Sequence, residues 1–219
     1  MKSISKNDQV TASETATILQ IAERCLAEPG DFVELGCYRG DTSVLLGRLL
    51  QNASHSVNSH DSALAAPHPT ALPASKRLWI YDSFAGLPAK TAADYSGAGA
   101  NFQAGELLVT KREVVEKIRH AGLKNVIIKK AWFSDLTAGD LPGQIAFGFL
   151  DGDLYESIKV SLQLVAPRLT ERGIMIVHDY NNPELPGSSR AVDEFLRAHS
   201  EYKLQVQHTL AILQKPPAA

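Results

Sequence analysis

Two apolar segments of this chain each end in polar, metal-ligating residues, and this feature constrains the fold more than any other. Ile145–Leu150 is continuously apolar and is followed by Asp151 and Asp153, and residues 173–177 are followed by a His-Asp pair. Short apolar runs of this kind are typical of strands buried on both faces of a parallel sheet. Ligands bind outside the carboxyl ends of such strands, so we expect both polar sequences at one site.

The acidic residues have two interpretations. A single aspartate after a strand is most often an ordinary turn or helix-cap residue. Here carboxylates follow two successive strands, and carboxylate oxygens are the ligands that hard cations prefer. We therefore favour a metal site formed by the two strand ends.

Helical and strand-like segments alternate along the rest of the chain. Capping-box sequences at Thr11-Ala-Ser-Glu14 and Thr110-Lys-Arg-Glu113 predict two of the helix starts. The other predicted strands are residues 32–35, 78–81, 126–129, 204–208 and 209–213. The predicted helices are residues 11–27, 41–50, 110–121, 155–169 and 191–199. This order predicts an α/β fold with a mostly parallel sheet and an antiparallel edge.

Chain length and composition indicate one domain over residues 1–219, with residues 1–29 as an N-terminal helical segment. Residues 52–76 interrupt the pattern, because they are rich in Ser, Ala, His and Pro and lack apolar periodicity. Such a segment buries too little surface to offset the entropy of ordering. We therefore expect a flexible insertion there.

Several functional classes are disfavoured by composition. The net charge of -2 provides no basic surface for nucleic acid. No apolar run approaches the roughly 18 residues that span a membrane, and the N-terminus lacks a signal-peptide core. Cys25 and Cys37 have no metal-site spacing and are too few for a disulfide framework. We expect a cytoplasmic protein. The sequence leaves the monomer and the homodimer as alternatives.

A glycine-containing loop follows the first predicted strand. The sequence Glu34-Leu-Gly36-Cys-Tyr38-Arg-Gly40 leads into a helix that begins at Asp41 or the next residue. Strand, glycine turn and helix together bring a nucleotide close to bare backbone, although a tight turn needs glycine in any case. The pattern differs from the Gly-x-Gly-x-x-Gly of dinucleotide binders, which disfavours a nicotinamide-dependent oxidoreductase.

Asp82 ends the second predicted strand. In nucleotide-binding α/β folds an acidic residue at this position binds the ribose hydroxyls, about 20 residues beyond the glycine loop. Excluding the insertion at residues 52–76 restores this spacing. The alternative is a turn residue before Gly and Pro. Trp132 and Phe133 follow the third strand, where they flank an adenine ring or cover the sheet edge as core residues.

These motifs together resemble the macrocin O-methyltransferase family, whose members use S-adenosylmethionine and a metal ion to methylate sugar hydroxyls of natural products. The resemblance covers residues 30–216. The matching stretches are residues 34–40, 82–88, 130–133, 150–157, 178–180 and 190–195. Asp-Ser-Phe-Ala-Gly-Leu-Pro and Asp-Gly-Asp-Leu-Tyr-Glu-Ser are the most specific of them. The resemblance implies a seven-stranded, Rossmann-like class I methyltransferase fold with helices on both faces.

The resemblance implies a role for each matching residue. The residues expected around S-adenosylmethionine are Glu34, Gly36, Tyr38, Gly40, Ser43, Asp82, Ser83, Phe84, Trp132, Phe133 and Asp151. The first five would surround the methionine moiety, Asp82 the ribose with Ser83 and Phe84 nearby, and the aromatic pair the adenine. Asp151 and Asp179 would hold Mg²⁺ or another divalent cation, and Asp153 would be the general base.

The chain departs from the family pattern at the metal site. The family usually has Asp-Asp-Tyr where this chain has His178-Asp179-Tyr180, and imidazole is a softer ligand than carboxylate. The residue before the Trp-Phe pair is Ala131 instead of glycine, and the N-terminal region is shorter than in many members. The resemblance implies a small-molecule hydroxyl acceptor, expected to be a sugar. A non-catalytic relative that has lost its metal through His178 is the alternative.

Overall fold

A computed structural model describes residues 9–58, 76–95 and 101–215 of the chain. Their strands form one seven-stranded sheet in the order β3-β2-β1-β4-β5-β7-β6. The strands are β1 (Asp31–Leu35), β2 (Leu78–Asp82), β3 (Val126–Lys130), β4 (Ile145–Leu150), β5 (Leu169–Val177), β6 (Lys203–Gln207) and β7 (Leu210–Gln214). The first five run parallel, and β7 pairs antiparallel with both β5 and β6. The predicted parallel sheet with an antiparallel edge is confirmed.

Helices cover both faces of this sheet. They are α1 (Ala12–Arg24), α2 (Asp41–Asn58), α3 (Lys111–His120), α4 (Tyr155–Val165) and α5 (Pro186–Ala198). One core cluster joins α1, α2 and α3 to sheet residues such as Phe32 and Phe147, whose ring centroids lie 5.2 Å apart. A second cluster joins α4 and α5 to residues of the opposite face, such as Val33 and Leu150. The alternation of side chains along each strand thus builds two cores.

The register of the parallel strands aligns the residues that follow them. Leu35 of β1 pairs with Tyr81 of β2 and with Leu150 of β4, and Leu150 also pairs with Val177 of β5. The residues that come next are therefore Gly36, Asp82, Asp151 and His178, all at one level of the sheet edge. This alignment places the candidate site residues together.

Helix α2 is longer than the sequence predicts. It continues to Asn58, so the predicted insertion at residues 52–76 begins as helix. At the other end Lys76 is buried, and its ammonium group donates to the carbonyl oxygens of Glu28 and Gly30. The predicted end of α2 near residue 50 was therefore wrong. The flexible insertion itself stays a prediction, because residues 59–75 lie outside the described part of the chain.

Three other boundaries differ from prediction because of proline and glycine. Helix α4 ends at Val165, before a short 3₁₀ turn that contains Pro167, and β5 begins at Leu169 and continues through Gly173. Helix α5 begins at Pro186, because proline is well tolerated in the first helical turn. In the described residues, no helix has both the length and the apolar character needed to cross a membrane.

Candidate active site

Two adjoining cavities open at the carboxyl ends of the parallel strands. The first has a volume of about 80 Å³ and the second about 380 Å³. Gln9, Gly36, Tyr38 and Asp151 line both cavities and form the wall between them. The other predicted residues that line the first cavity are Asp82, Ser83, Trp132, Phe133 and Asp153. Glu34 lines the second, so most predicted site residues meet at these cavities.

The glycine loop depends on a backbone conformation that few residues adopt. Gly36 has φ +92°, and a Cβ atom at this position would overlap the carbonyl oxygen of Asp151. Its N–H donates to the carbonyl oxygen of Tyr81 over 2.9 Å. The loop can therefore approach β4 this closely only because residue 36 lacks a side chain.

Asp82 fixes the shape of this loop. One carboxylate oxygen accepts from the N–H groups of Cys37 at 2.9 Å and Tyr38 at 3.3 Å, and the other accepts from the N–H of Phe84 at 2.8 Å. Tyr38 has φ +43°, so these bonds stabilise a left-handed backbone conformation. A carboxylate has about four lone-pair sites, so Asp82 retains capacity to bind a ligand in the first cavity.

Three predicted cofactor residues lie outside the lining of these cavities. The side chain of Phe84 packs in the core cluster around α1, α2 and α3, so only its backbone contributes beside Asp82. Gly40 immediately precedes helix α2, and its N–H donates to the carbonyl oxygen of Cys37 over 2.7 Å. Ser43 is fully buried and donates to the carboxylate of Glu34. These residues stabilise the segments that line the cavities, and they are not part of the lining.

Glu34 is a buried acid in the wall of the second cavity. Its exposed fraction is 1%, and the hydroxyl of Ser43 is its hydrogen-bond donor. Burial raises the pKa of Glu34 to about 8, although the hydrogen bond from Ser43 opposes this shift. A cationic group in the cavity would favour the ionised form. Arg39 and Lys117 supply positive charge elsewhere in the lining.

Asp151, His178 and Asp179 form a compact cluster at the ends of β4 and β5. The Nδ1 atom of His178 lies 2.9 Å from an oxygen of Asp151 and 3.0 Å from an oxygen of Asp179. Adjacent ligand atoms about 2.1 Å from a Mg²⁺-sized cation lie about 3.0 Å apart, so these spacings fit a shared cation. The donor set of two carboxylates and one imidazole also suits divalent transition metals. The predicted metal ligands are thus brought together.

The carboxylates dominate the electrostatics of this cluster. Burial disfavours a charged imidazole at position 178, but the charges of Asp151 and Asp179 and their hydrogen bonds outweigh it and raise the pKa of His178 well above its usual value. The two carboxylates thus favour the protonated ring, in which Nδ1 donates to them. A cation must displace this proton to use Nδ1 as a ligand.

Asp153 lies beside the cluster, in the lining of the first cavity. It has φ +58°, a left-handed conformation that turns the chain between β4 and α4. Burial, followed by the charges of Asp151 and Asp179, raises the pKa of Asp153 well above its ordinary value. A carboxylate with a raised pKa is a stronger base than a solvent-exposed one.

The aromatic pair after β3 borders the first cavity. Trp132 is 39% exposed, whereas Phe133 is half-buried and packs against the second core cluster. Both side chains line the cavity. Of the two interpretations of this pair, the geometry favours a ligand-facing surface for Trp132, because a core residue would be less exposed.

Sequence reasoning did not single out several residues that lie in or near the site. Gln9 lines both cavities, and Leu107 lines the first. Glu14 is 3% exposed and lies 3.7 Å from Nε2 of His178, although the sequence indicated only its capping role. Asp94 lies outside the lining of both cavities, and its carboxylate accepts from the N–H of Tyr155 at the start of α4.

Residues 14–208 match the family model described as macrocin-O-methyltransferase (TylF). The 8-demethyl-8-(2,3-dimethoxy-alpha-L-rhamnosyl)-tetracenomycin-C 4′-O-methyltransferase of Streptomyces olivaceus is 32% identical over 158 residues, which are 69% of this chain and 53% of that protein. The demethyldecarbamoylnovobiocin O-methyltransferase of Streptomyces niveus is 29% identical over 172 residues, which are 76% of this chain and 58% of that protein. The chain thus spans little more than half the length of these curated relatives.

Solved structures share the same architecture. The O-methyltransferase NovP superposes with a TM-score of 0.71 at 25% identity, over 93% of this chain and 79% of NovP. The calicheamicin methyltransferase CalS11 superposes with a TM-score of 0.69 at 19% identity, over 93% of this chain and 80% of CalS11. The fold is therefore the Rossmann-like class I methyltransferase fold, as the sequence predicted.

Proposed function

The chain belongs to the macrocin O-methyltransferase family, and on this basis we propose that it transfers a methyl group from S-adenosylmethionine to a hydroxyl of a sugar or another polyhydroxylated small molecule. The proposal includes a divalent cation. The observation that carries it is the alignment of the glycine loop and Asp82 with the Asp151–His178–Asp179 cluster at one sheet edge. Methyl donor and acceptor need such a common edge to meet in line.

The two cavities suit the two ends of the cofactor. Asp82 and Trp132 in the first cavity offer a carboxylate for ribose hydroxyls and an aromatic face for adenine. The second cavity has Glu34 in its wall and Arg39 and Lys117 elsewhere in its lining. This charge distribution complements an α-amino acid, with its ammonium group near Glu34. The wall residue Gly36 permits the chain linking both ends to pass close to the backbone.

Asp151, His178 and Asp179 would hold the divalent cation, because their ligand atoms lie within 4.8 Å of one another. A bound cation polarises the acceptor hydroxyl and lowers its pKa. Asp151 also lines both cavities, so it connects the cation site with the cofactor site.

Asp153 would accept the proton of the acceptor hydroxyl. It lines the first cavity, as Asp151 does, and burial raises its pKa, so that its ionised form is a stronger base than a solvent-exposed carboxylate. Besides this proton transfer, the protein's task is alignment, since displacement at a sulfonium needs little further chemistry.

A sugar acceptor is the substrate class that the relatives support. The relative from Streptomyces olivaceus is named for a rhamnosyl derivative of tetracenomycin, and the structural neighbour CalS11 is named a calicheamicin methyltransferase. Vicinal hydroxyls of a sugar are also suitable ligands for a hard cation, since oxygen is its preferred donor.

The proposal is tested first by calorimetry with S-adenosylhomocysteine and NADH. We expect binding of the former alone, and binding of NADH alone would contradict the cofactor assignment. Transfer of labelled methyl to a panel of rhamnosides is then measured with EDTA and with Mg²⁺ or Mn²⁺ restored. Activity that EDTA leaves unchanged would remove the cation from the proposal.

A further inference from the structure

Asp94 connects two distant parts of the chain. It ends a short 3₁₀ turn (Ala92–Asp94) in the long connection between β2 and α3, and it is 2% exposed. One carboxylate oxygen closes a capping box, in which it accepts from the N–H and the hydroxyl of Thr91, each at 2.8 Å. The other oxygen accepts from the N–H of Tyr155, the first residue of α4, at 2.6 Å. The β2–α3 connection is thus bonded to the start of α4.

A second capping box of the same kind provides a comparison. The 3₁₀ turn Ala138–Asp140 follows Thr137, and Asp140 makes the same reciprocal bonds with this threonine. Asp140 is only partly buried, and its other oxygen bonds the side chain of Lys129. Capping of a 3₁₀ turn therefore requires neither full burial nor contact with another helix. Because a buried carboxylate is costly unless it is well paired, the bond from Asp94 to α4 needs a separate explanation.

Helix α4 begins without a polar N-cap residue. Leu154 stands at the N-cap position, and its apolar side chain cannot accept from the N–H groups of the first turn. These N–H groups have no partner within the helix, and a negative charge beside them is favourable. Asp94 supplies this charge from another part of the chain. Gly187 of α5 leaves room for it, because a Cβ atom at this position would overlap the carboxylate of Asp94.

The residues immediately before the capped N–H form a strained turn. The N–H of Leu154 donates to the carbonyl oxygen of Gly152 over 2.6 Å, so Asp153 is the central residue of a three-residue turn. Asp153 has φ +58°. Three-residue turns with a positive central φ are rare, and such strain persists only where the surrounding structure holds it. The bond from Asp94 to Tyr155 holds the chain two residues beyond Asp153.

We propose that Asp94 is a positioning residue for Asp153. By holding the N–H of Tyr155, Asp94 keeps the preceding turn closed, and the backbone of this turn sets the direction of the Cα–Cβ bond of Asp153. The inference rests on the proposed function for the role of Asp153 as general base. The hold of Asp94 on the turn can be measured without acceptor or metal.

The test compares Asp94→Ala and Asp94→Asn with the wild type, and Asp140→Ala serves as the matched loss of a capping box. The first measurement is the amide ¹H–¹⁵N signal of Tyr155. Leu154-Tyr155 is the only Leu-Tyr pair in the sequence, so ¹³C-carbonyl leucine and ¹⁵N-tyrosine together select this amide. The amide of Leu154 is selected with labelled aspartate and leucine, and it is the Asp-Leu signal that is absent from Asp153→Asn.

We expect a downfield, slowly exchanging Tyr155 amide in the wild type and in Asp140→Ala, because a hydrogen bond to a carboxylate is short and strong. In Asp94→Ala the signals of Tyr155 and Leu154 should both shift and exchange faster with solvent, since the turn loses its anchor. Asp94→Asn should show smaller changes, because its side chain fills the same space and retains an oxygen for the N–H of Tyr155.

The second measurement separates kcat from cofactor binding. The kcat for methyl transfer to the rhamnosides should fall about 10- to 100-fold in Asp94→Ala, the scale expected when a catalytic group is displaced, and less in Asp94→Asn. Affinity for S-adenosylhomocysteine should not change, because Asp94 lies outside the lining of both cavities. Loss of kcat alone, with partial rescue in Asp94→Asn, separates positioning from a general loss of structure.

An unchanged Leu154 signal in Asp94→Ala would overturn the inference, because the turn would then be stable without Asp94. An unchanged kcat in a variant with shifted signals would also overturn it. If Asp94→Ala does not fold, Gly187→Ala decides, since its Cβ displaces the carboxylate: shifts of both amide signals would support the inference, and wild-type signals would overturn it.

If the wild type transfers no methyl group to any rhamnoside, the acceptor class of the proposed function fails. The signals of Tyr155 and Leu154 alone then decide whether Asp94 holds the turn at Asp153.

Discussion

Binding of the cofactor should depend on pH through Glu34. This acid is buried in the wall of the second cavity, and burial raises its pKa to about 8. The methionine end of the proposed cofactor carries an ammonium group that would pair with the ionised form. Since Glu34 is mostly protonated below its pKa, binding must remove its proton, and the apparent affinity should rise with pH.

The magnitude follows from the pKa of about 8. At pH 6 about 1% of Glu34 is ionised, and at pH 8 about half, so affinity for S-adenosylhomocysteine should rise roughly 50-fold between them. Calorimetry at pH 7 in buffers of different ionisation enthalpy should also show release of nearly one proton. Glu34→Gln should remove both effects and bind weakly at every pH.

A ligand without the amino acid end provides the control. 5′-Methylthioadenosine has the nucleoside but no ammonium group, so its affinity should not depend on the ionisation of Glu34. If S-adenosylhomocysteine binds equally well at pH 6 and pH 8 and releases no proton, Glu34 does not contact the ammonium group. If both ligands show the same pH dependence, another group in the first cavity is responsible.

The same pKa affects the stability of the ligand-free protein. Glu34 has a pKa of about 8 in the folded state and an ordinary pKa of 4.5, so the folded state binds more protons between these two pH values. Its contribution to the free energy of unfolding is therefore fully present below pH 4.5, decreases as pH rises, and is lost above about pH 8. This loss should be absent from Glu34→Gln in urea titrations.

Three further outcomes are expected. Asp82→Ala should weaken S-adenosylhomocysteine binding by about 1.5–3 kcal/mol in calorimetry, the usual value for hydrogen bonds to a charged group, whereas the exposed control Asp135→Ala should not change it. Gly36→Ala should lower the free energy of unfolding by about 3 kcal/mol or more in urea titrations, because its Cβ overlaps the backbone of Asp151; a loss below about 0.5 kcal/mol would contradict the close approach. His178→Asp should bind Mg²⁺ more tightly relative to Mn²⁺ and release fewer protons on binding; equal metal preference in both proteins would exclude His178 as a ligand.

The parallel sheet was predictable because its strands are short apolar runs ended by polar residues. Ile145–Leu150 matched prediction at both ends, since it is buried on both faces and followed at once by a turn. The boundary of α2 was not predictable from polarity, because residues 52–58 are Ser- and His-containing yet extend a helix already nucleated by the preceding turns. The composition of a segment indicates the entropic cost of ordering that segment in isolation. It does not include the stabilisation that a preceding helix provides.

The direction of side chains was the second feature of the site that the sequence could not predict. Phe84 belongs to a specific motif beside Asp82, yet its ring packs in the core while its N–H holds the carboxylate. A motif names the residues of a site without separating those that contact a ligand from those that shape the backbone. The backbone at Phe84 is left-handed, with φ +50°, a conformation that the motif did not indicate.

The histidine in the proposed cation site has a consequence that a carboxylate would not have. An ionised carboxylate presents lone pairs from both oxygens, so it needs no hydrogen-bond partner to become a ligand. The imidazole of His178 has one lone pair, and the proton must reside on the opposite nitrogen to free it. Glu14 lies on that opposite side, within 3.7 Å of Nε2. Binding of a cation through Nδ1 of His178 should therefore release a proton from the ring, whereas an ionised carboxylate at this position would have none to release.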